Sequence, residues 1–325
     1  MAAARPTALQ NYSRTAARSA RLVLGEYSTS FSLACRMLDA ASAAHIANIY
    51  ALVRLADEVV DGVASQAGLN PQAVGDCLDE LQAQTALALQ RGYSTNLVVH
   101  AFALTARETG ITERLTDPFF ASMRADLSVH RHSEQSLREY IYGSAEVVGL
   151  MCLQVFRAMP SAPAETPAQA QLAERAARSL GAAFQKVNFL RDLATDSRQL
   201  ERVYFPGIDP EHFTEARKRE LVADIETDLA HARAGLPYLA PAAARAVRMA
   251  HDLFARLNRQ LDKAPAEQLL TARISVSAPR KALIAARVLA TGHRWRAPDP
   301  GPNPGPAGQA PHVAQLPLSG GPHAA

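Results

Sequence analysis

Residues 50–61 read Tyr50-Ala-Leu-Val-Arg54-Leu-Ala-Asp57-Glu58-Val-Val-Asp61, and Gly62 follows the run. On an α-helix, where successive residues turn by about 100°, four polar side chains of this run share one face: Tyr50, Arg54, Asp57 and Asp61. The other positions are almost all apolar, which predicts a buried helix. Buried carboxylates one helical turn apart need a metal or another cation as partner. The alternative is a pair of solvated acids at a helix end, where they would oppose the helix dipole.

Residues 185–196 repeat this arrangement as Gln185-Lys-Val-Asn188-Phe-Leu-Arg191-Asp192-Leu-Ala-Thr-Asp196. The side chains with oxygen ligands again share one helix face: Gln185, Asn188, Asp192 and Asp196. If the two faces meet across a helical bundle, they form the all-oxygen site that Mg²⁺ prefers. Such an ion usually bridges to substrate phosphates, and Arg191 adds a bidentate phosphate donor. We therefore expect a diphosphate substrate, with its hydrocarbon in the apolar interior of the bundle.

The rest of the chain predicts an all-α protein. Apolar residues recur at spacings of three and four in an alanine-rich sequence, and glycines and prolines separate the runs. We expect one helical domain over residues 1–296, followed by a disordered tail over residues 297–325, which contain eight prolines and five glycines. The predicted helices are 13–25, 39–61, 71–91, 96–109, 117–129, 135–158, 167–197, 214–235, 241–262 and 279–291.

Charge and composition exclude several classes of protein. The 34 basic and 31 acidic residues leave a formal net charge of only +3, which argues against nucleic-acid binding. The three cysteines are isolated and fit neither a disulfide framework nor a metal site, as expected in a reducing cytoplasm. Residues 1–20 lack the apolar core of a signal peptide, and no apolar run approaches 18 residues. We expect a cytoplasmic protein, with peripheral membrane contact left open.

Four blocks of sequence identify a resemblance to a known family. They are Ser28-Thr-Ser30-Phe31, the run 50–61, the run Tyr140-Ile-Tyr-Gly-Ser-Ala-Glu-Val-Val-Gly149, and Gly181 to Asp196 followed by Arg202-Val-Tyr204-Phe-Pro206. Together they resemble the squalene/phytoene synthase family over roughly residues 12–290. The resemblance implies a helical bundle of the isoprenoid synthase type with a central pocket for diphosphate and Mg²⁺. The chain departs from the usual family pattern at Glu146, Phe189 and Ala250.

The resemblance also implies a role for each residue that matches a family motif. It makes Tyr140 the candidate for proton handling or cation contact near the site. Apart from the resemblance, Tyr204 and Phe205 precede Pro206 in a loop, where we expect them to pack rather than to react, and we expect Arg202 to order that loop. The implied metal ligands are Asp57, Asp61, Asn188, Asp192 and Asp196. The implied substrate-binding residues are Ser28, Ser30, Tyr50, Arg54, Gln185, Asn188, Arg191 and Arg273.

The implied reaction joins two allylic prenyl diphosphates head to head through a cyclopropyl diphosphate. The favoured version of this reaction converts two geranylgeranyl diphosphates to phytoene, because the chain lacks the C-terminal membrane helix of eukaryotic squalene synthases. Squalene, dehydrosqualene or presqualene diphosphate from farnesyl diphosphate remains the alternative. Mg²⁺, or Mn²⁺ in its place, is the expected cofactor, and NADPH is not expected. A terpene cyclase and a non-catalytic assembly factor compete, but the Arg191–Asp192 pair argues against the first and the four retained aspartates against the second.

Overall fold

A computed structural model describes residues 5–199, 202–208 and 213–292, and these residues form an all-α fold. Within them β-type pairing is limited to one isolated parallel bridge between Arg131 and Val203. The predicted tail over residues 297–325 lies outside the described residues. The helices are α1 (Ala8–Tyr27), α2 (Thr29–Cys35), α3 (Ala40–Val60), α4 (Val63–Gln66), α5 (Pro71–Arg91), α6 (Leu97–Thr109), α7 (Glu113–Ala125), α8 (Glu134–Ile141), α9 (Val147–Arg157), α10 (Pro167–Gln199), α11 (Glu215–Arg233), α12 (Pro241–Lys263), α13 (Ala266–Leu269) and α14 (Ala278–Thr291).

Each predicted helical segment contains a helix, so the all-α prediction is confirmed. The ends differ where a local cap was overlooked. Helix α1 begins five residues before the predicted start because Thr7 and Gln10 form a capping box, with the Thr7 hydroxyl accepting from the Gln10 amide at 3.1 Å. Helix α7 begins at Glu113, so that Pro118 lies inside the helix rather than at its start. The short helices α2, α4 and α13 were not predicted, since each is seven residues or fewer.

The segment predicted as one helix over residues 135–158 is interrupted by a π-helical turn over Tyr142–Glu146. Such turns insert one extra residue and are frequent at functional sites. Here the turn packs tightly against α7, because a Cβ atom on Gly143 would lie 2.2 Å from the Pro118 carbonyl oxygen. Tyr140 lies just before the turn, at the end of α8.

Helix α10 approaches α9 and the π-helical turn before it closely, through two glycines. A Cβ atom on Gly149 would lie 2.4 Å from the Ala177 carbonyl oxygen, and one on Gly181 would lie 2.4 Å from the Ala145 carbonyl oxygen. Because these contacts are to backbone atoms, no side chain can move aside to make room. Helix α9 also packs against α3, so it sets the spacing between the two helices that carry the carboxylates.

We predict that Gly181→Ala destabilises the protein by about 2 kcal/mol, because the added methyl group overpacks the contact between α10 and the π-helical turn. The matched control is Gly75→Ala in α5, where the nearest atom to the new methyl group is Leu127 Cδ1 at 3.9 Å. This control should gain about 0.5–1 kcal/mol from its higher helix propensity. Urea unfolding followed by circular dichroism measures both. Equal stabilities for the two variants would contradict the close packing.

Candidate active site

A cavity of about 540 Å³ lies between α3 and α10 and gathers every site residue predicted from the sequence. Its walls also include parts of α1, α2, α7, α9 and α12. The predicted residues that line it are Ser28, Ser30, Tyr50, Arg54, Asp57, Asp61, Tyr140, Gln185, Asn188, Arg191, Asp192, Asp196 and Arg273. Segments far apart in sequence thus meet around one space, as the two carboxylate stripes require.

The cavity is apolar along most of its length and polar at one end. On α3 the lining begins with Ile46 and Ile49 and ends with Asp57 and Asp61. On α10 the lining begins with Ala173, Ala176, Ala177 and Leu180 and ends with Asn188, Asp192 and Asp196. Each helix therefore carries its apolar lining residues first and its carboxylates toward its C-terminal end. This arrangement suits a ligand with a long hydrocarbon and a charged head.

Arg202 joins the acidic ends of the two helices. Its guanidinium donates to Asp61 Oδ1 at 3.0 Å and to the Val60 carbonyl oxygen at 2.8 Å. Its backbone N–H donates to the Asp196 carbonyl oxygen at 2.9 Å. Because helix C-termini carry partial negative charge, a buried arginine stabilises the end of α3 as well as its aspartate. This role goes beyond the ordering of its own loop, which is all that the sequence predicts for Arg202.

The carboxylates of the two stripes repel each other. Burial, and then the charge of Asp61, raise the pKa of Asp57 to about 8. Burial, followed by the charges of Asp192 and Asp61, raises the pKa of Asp196 to about 7. Asp61 caps the C-terminal end of α3 and Asp196 lies on α10, so the repulsion crosses from one stripe to the other. The acidic ends of the two stripes therefore line the same part of the cavity.

In this structure, arginine side chains pair with acidic residues of the cavity, and these acidic residues do not form a closed set of metal ligands. Arg191 donates from Nε to Asp192 Oδ1 at 3.0 Å, and Arg273 Nε lies 2.7 Å from the same oxygen. Arg54, predicted to bind phosphate, instead pairs with Glu58 and lies over the Tyr27 ring, 4.4 Å from its centroid. Among the described side chains, no three His, Cys, Asp or Glu residues converge as a metal-ligand group. The carboxylates share one end of the cavity without forming the closed cage that the sequence suggested.

The donor set nevertheless fits a divalent cation. It consists of carboxylate oxygens from two helices and the amide oxygen of Asn188, which are the ligands that hard cations prefer. Burial first, and then the charges of neighbouring carboxylates, raise the pKa values of Asp57 and Asp196, so the charged forms of both residues are costly at this end of the cavity. A bound dication would offset both the burial and the repulsion of these carboxylates.

Asp126, a buried carboxylate in the cavity wall beside Tyr140, was not predicted as a site residue from the sequence. Tyr140 donates its hydroxyl proton to Asp126 Oδ2 at 2.7 Å, and Tyr204 donates to Asp126 Oδ1 at 3.2 Å. Burial raises the pKa of Asp126 to about 6, although Arg202 and the Tyr140 hydroxyl oppose the shift. Asp126 stands alone in its sequence segment, so no spacing pattern could have marked it.

Tyr204 packs as expected, but it also belongs to the polar network. Its ring stacks on Phe189 with the ring centroids 4.0 Å apart, and its hydroxyl also accepts from Arg202 Nη1 at 3.4 Å. His132 stacks on the other side, with its ring centroid 5.8 Å from that of Tyr204. Aromatic rings and one carboxylate thus form the cavity wall next to the acidic end.

Comparisons with known proteins agree with this geometry. The family model described as squalene/phytoene synthase matches residues 24–280, which is most of the chain. A phytoene synthase from Pseudescherichia vulneris is 28% identical over 248 residues, covering 70% of this chain and 76% of that protein. The 15-cis-phytoene synthase of Pantoea ananas is 27% identical over 299 residues, covering 85% of this chain and 92% of its own.

Two solved structures share the fold. A dehydrosqualene synthase in complex with ligand has a TM-score of 0.71 at 21% identity, covering 87% of this chain and 98% of the other. The squalene synthase HpnC from Alicyclobacillus acidocaldarius has a TM-score of 0.64 at 19% identity, covering 78% of this chain and 96% of its own. At these identities the likeness establishes the common helical fold.

We predict that Mg²⁺ with inorganic diphosphate raises the melting temperature of the native protein, and that Asp57→Asn abolishes this increase. The same substitution should raise the melting temperature of the metal-free protein by about 2 °C, because it removes one of several mutually repelling carboxylates. Differential scanning fluorimetry with and without the metal measures both effects. The control is Asp79→Asn, which removes an exposed acid paired with Arg124 outside the cavity. A metal-induced increase of equal size in both variants would contradict the assignment of Asp57 as a ligand.

Proposed function

The chain belongs to the squalene/phytoene synthase family, and we propose that it condenses two geranylgeranyl diphosphates head to head to give phytoene. The observation that carries this proposal is the cavity itself, which places two carboxylate-bearing helix ends beside a long apolar space. The four aspartates of both stripes line it, which supports an active enzyme rather than an assembly factor. Relatives from Pseudescherichia vulneris and Pantoea ananas are named phytoene synthases, and they support the C20 substrate.

In the proposed reaction, the acidic end of the cavity binds the diphosphates. Bound Mg²⁺, held by Asp57, Asp61, Asn188, Asp192 and Asp196, would withdraw charge from a diphosphate leaving group. Arg191 and Arg273 lie against Asp192, where their guanidinium groups can turn to phosphate oxygens. The apolar walls exclude water, which would otherwise capture an allylic cation.

Tyr140 is the residue we assign to contact with the reacting carbons. Its ring lies in the cavity wall beside Asp126 and Phe189, with the ring centroids of Tyr140 and Phe189 6.0 Å apart. An aromatic face attracts a carbocation, and a phenol oxygen can accept or return a proton. Both properties suit a reaction that forms cations and ends with proton loss.

We predict that geranylgeranyl diphosphate with Mg²⁺ alone yields a C40 hydrocarbon. Squalene formation ends with hydride capture and needs a reduced nicotinamide, whereas phytoene formation ends with proton loss. Added NADPH should therefore change neither the mass nor the rate of formation of the product, as measured by mass spectrometry. Exclusive use of farnesyl diphosphate, or a product two hydrogens heavier with NADPH, would establish the squalene-type alternative, in line with the names of the structural neighbours.

The same assay tests the predicted ligands. Asp57→Asn and Asp192→Asn should each reduce turnover more than about 100-fold, because charge stabilisation at a leaving group is a dominant catalytic contribution. The control is again Asp79→Asn, which should retain native activity. Retention of more than a tenth of native turnover by both cavity variants would exclude the assignment.

We further propose that α14 contacts the membrane from which a lipid substrate is drawn. The described residues contain no helix long and apolar enough to cross a membrane. Helix α14 exposes Leu283 and Leu289, which are 71% and 62% accessible, and its sequence contains three basic residues and no acid. An apolar face flanked by basic residues is typical of a helix that lies on an anionic bilayer.

The position of α14 supports this proposal. Lys281 Nζ donates to Thr29 Oγ1 at 2.6 Å, next to Ser28 in the cavity wall. Arg273, five residues before the start of α14, lines the cavity as well. The N-terminal end of α14 therefore lies near residues that line the cavity.

We predict that the protein floats with vesicles that contain phosphatidylglycerol, and that the double variant Leu283→Gln, Leu289→Gln loses most of this binding because it removes the exposed apolar face. Sucrose-gradient flotation measures the bound fraction. A matched double variant, Leu9→Gln and Leu87→Gln, changes two exposed leucines on α1 and α5 and should bind as the native protein does. Equal flotation of both double variants would show that α14 is not the contact.

A further inference from the structure

Asp126 lies where two phenols of the cavity wall converge. It belongs to no carboxylate stripe and immediately follows α7. Its two oxygens accept separate hydrogen bonds, from Tyr140 at 2.7 Å and from Tyr204 at 3.2 Å. The side chain is 4% exposed, and Arg202 Nη1 lies 3.8 Å from Oδ1. Both acceptor atoms of a buried carboxylate are thus committed to tyrosines that line the cavity.

These hydrogen bonds determine what Tyr140 presents to a ligand. A phenol carries a single proton, and Tyr140 gives it to Asp126. The part of the Tyr140 oxygen that does not face Asp126 carries the lone pairs. Because hydrogen bonding to a carboxylate increases the electron density on that oxygen, it becomes a better partner for a cation and a better proton acceptor.

The surrounding contacts hold this arrangement in one geometry. The Ser122 hydroxyl donates to the Tyr140 carbonyl oxygen at 3.1 Å, and the π-helical turn follows directly. The Tyr140 ring packs against His132 and Tyr204, with ring centroids 5.1 Å and 5.3 Å away. A buried carboxylate without such partners would be strongly destabilising, so the two phenols and Arg202 hold Asp126 in its ionised form at this position.

We propose that Asp126 is a positioning residue for the condensation: it accepts the Tyr140 proton, and so holds the phenol with its oxygen lone pairs toward the reacting carbons. This inference rests on the proposed function, and it extends that function to a residue outside the diphosphate site. Asp126 acts through Tyr140 and does not itself contact the diphosphates. Tyr204 fills the second acceptor position and fixes the rotation of the carboxylate.

The decisive variant is Asp126→Asn, which keeps the shape of the side chain but offers only one acceptor oxygen to the two phenols. We expect kcat to fall about 100-fold, within the range of a proton-handling contribution, while KM changes less than about twofold. Asp126→Glu keeps the charge beside Arg202 and so protects folding, but it moves the acceptor by one methylene group. It should also lower kcat without changing KM.

A double-mutant cycle separates positioning from general stability. If Asp126 acts through Tyr140, then Tyr140→Phe and the double variant Asp126→Asn, Tyr140→Phe should have nearly the same kcat. The control is Asp228→Asn, which removes a half-buried carboxylate paired with Lys186 at 2.8 Å outside the cavity. This control should alter the melting temperature but not kcat.

The outcomes distinguish this inference from the proposed function. Native protein that converts no prenyl diphosphate would overturn the proposed function, and the role of Asp126 with it. Active native protein, together with full kcat in Asp126→Asn and Asp126→Glu, would overturn the role of Asp126 alone. Independent, multiplicative losses in the double variant would also overturn it, because they would show that Asp126 does not work through Tyr140.

Discussion

The structure depends on the buried guanidinium of Arg202. It neutralises Asp61, stabilises the C-terminal end of α3 through Val60 and, through its own backbone, holds the end of α10 at Asp196. The pKa of this guanidinium is raised, despite burial, by the charge of Asp126 and by Tyr204. A buried cation is tolerated only among such partners. One side chain therefore links both carboxylate stripes to the tyrosine network.

The acidic residues of the cavity lower the stability of the folded protein, although the proposed reaction needs them. Asp57 and Asp196 would be easier to bury as neutral residues, as their raised pKa values show. Arginines compensate part of the charge, and Arg191 and Arg273 both do so at Asp192. Because a guanidinium fits a carboxylate and a phosphate equally well, these two residues can exchange one partner for the other when a ligand binds. The ion pairs of the ligand-free protein thus keep Arg191 and Arg273 next to the place where we expect a phosphate to bind.

Local patterns were enough to predict the helices and both carboxylate stripes. The stripes follow from the spacing of four between Asp57 and Asp61 and between Asp192 and Asp196, and all four residues line the cavity. The π-helical turn could not be predicted, because it depends on how closely Gly143 packs against α7. Asp126 was missed for a similar reason: its partners lie 14 and 78 residues away. Such pairings depend on tertiary structure and leave no periodic signal in the sequence.

A cavity that forms carbocations must also avoid reactive nucleophiles, and the two thiols in its wall meet this requirement. Burial raises the pKa of Cys35 to about 11 and that of Cys152 to about 12. The thiolate is the more nucleophilic form of cysteine, so at neutral pH both side chains are held in their less reactive, protonated form. The apolar surroundings that accommodate the hydrocarbon also keep these thiols protonated. The same low polarity strengthens the attraction between a cation and the Tyr140 oxygen, since little water is present to screen it. The apolar character of the cavity thus favours binding of the hydrocarbon, keeps the two thiols protonated and strengthens the attraction between a cation and Tyr140.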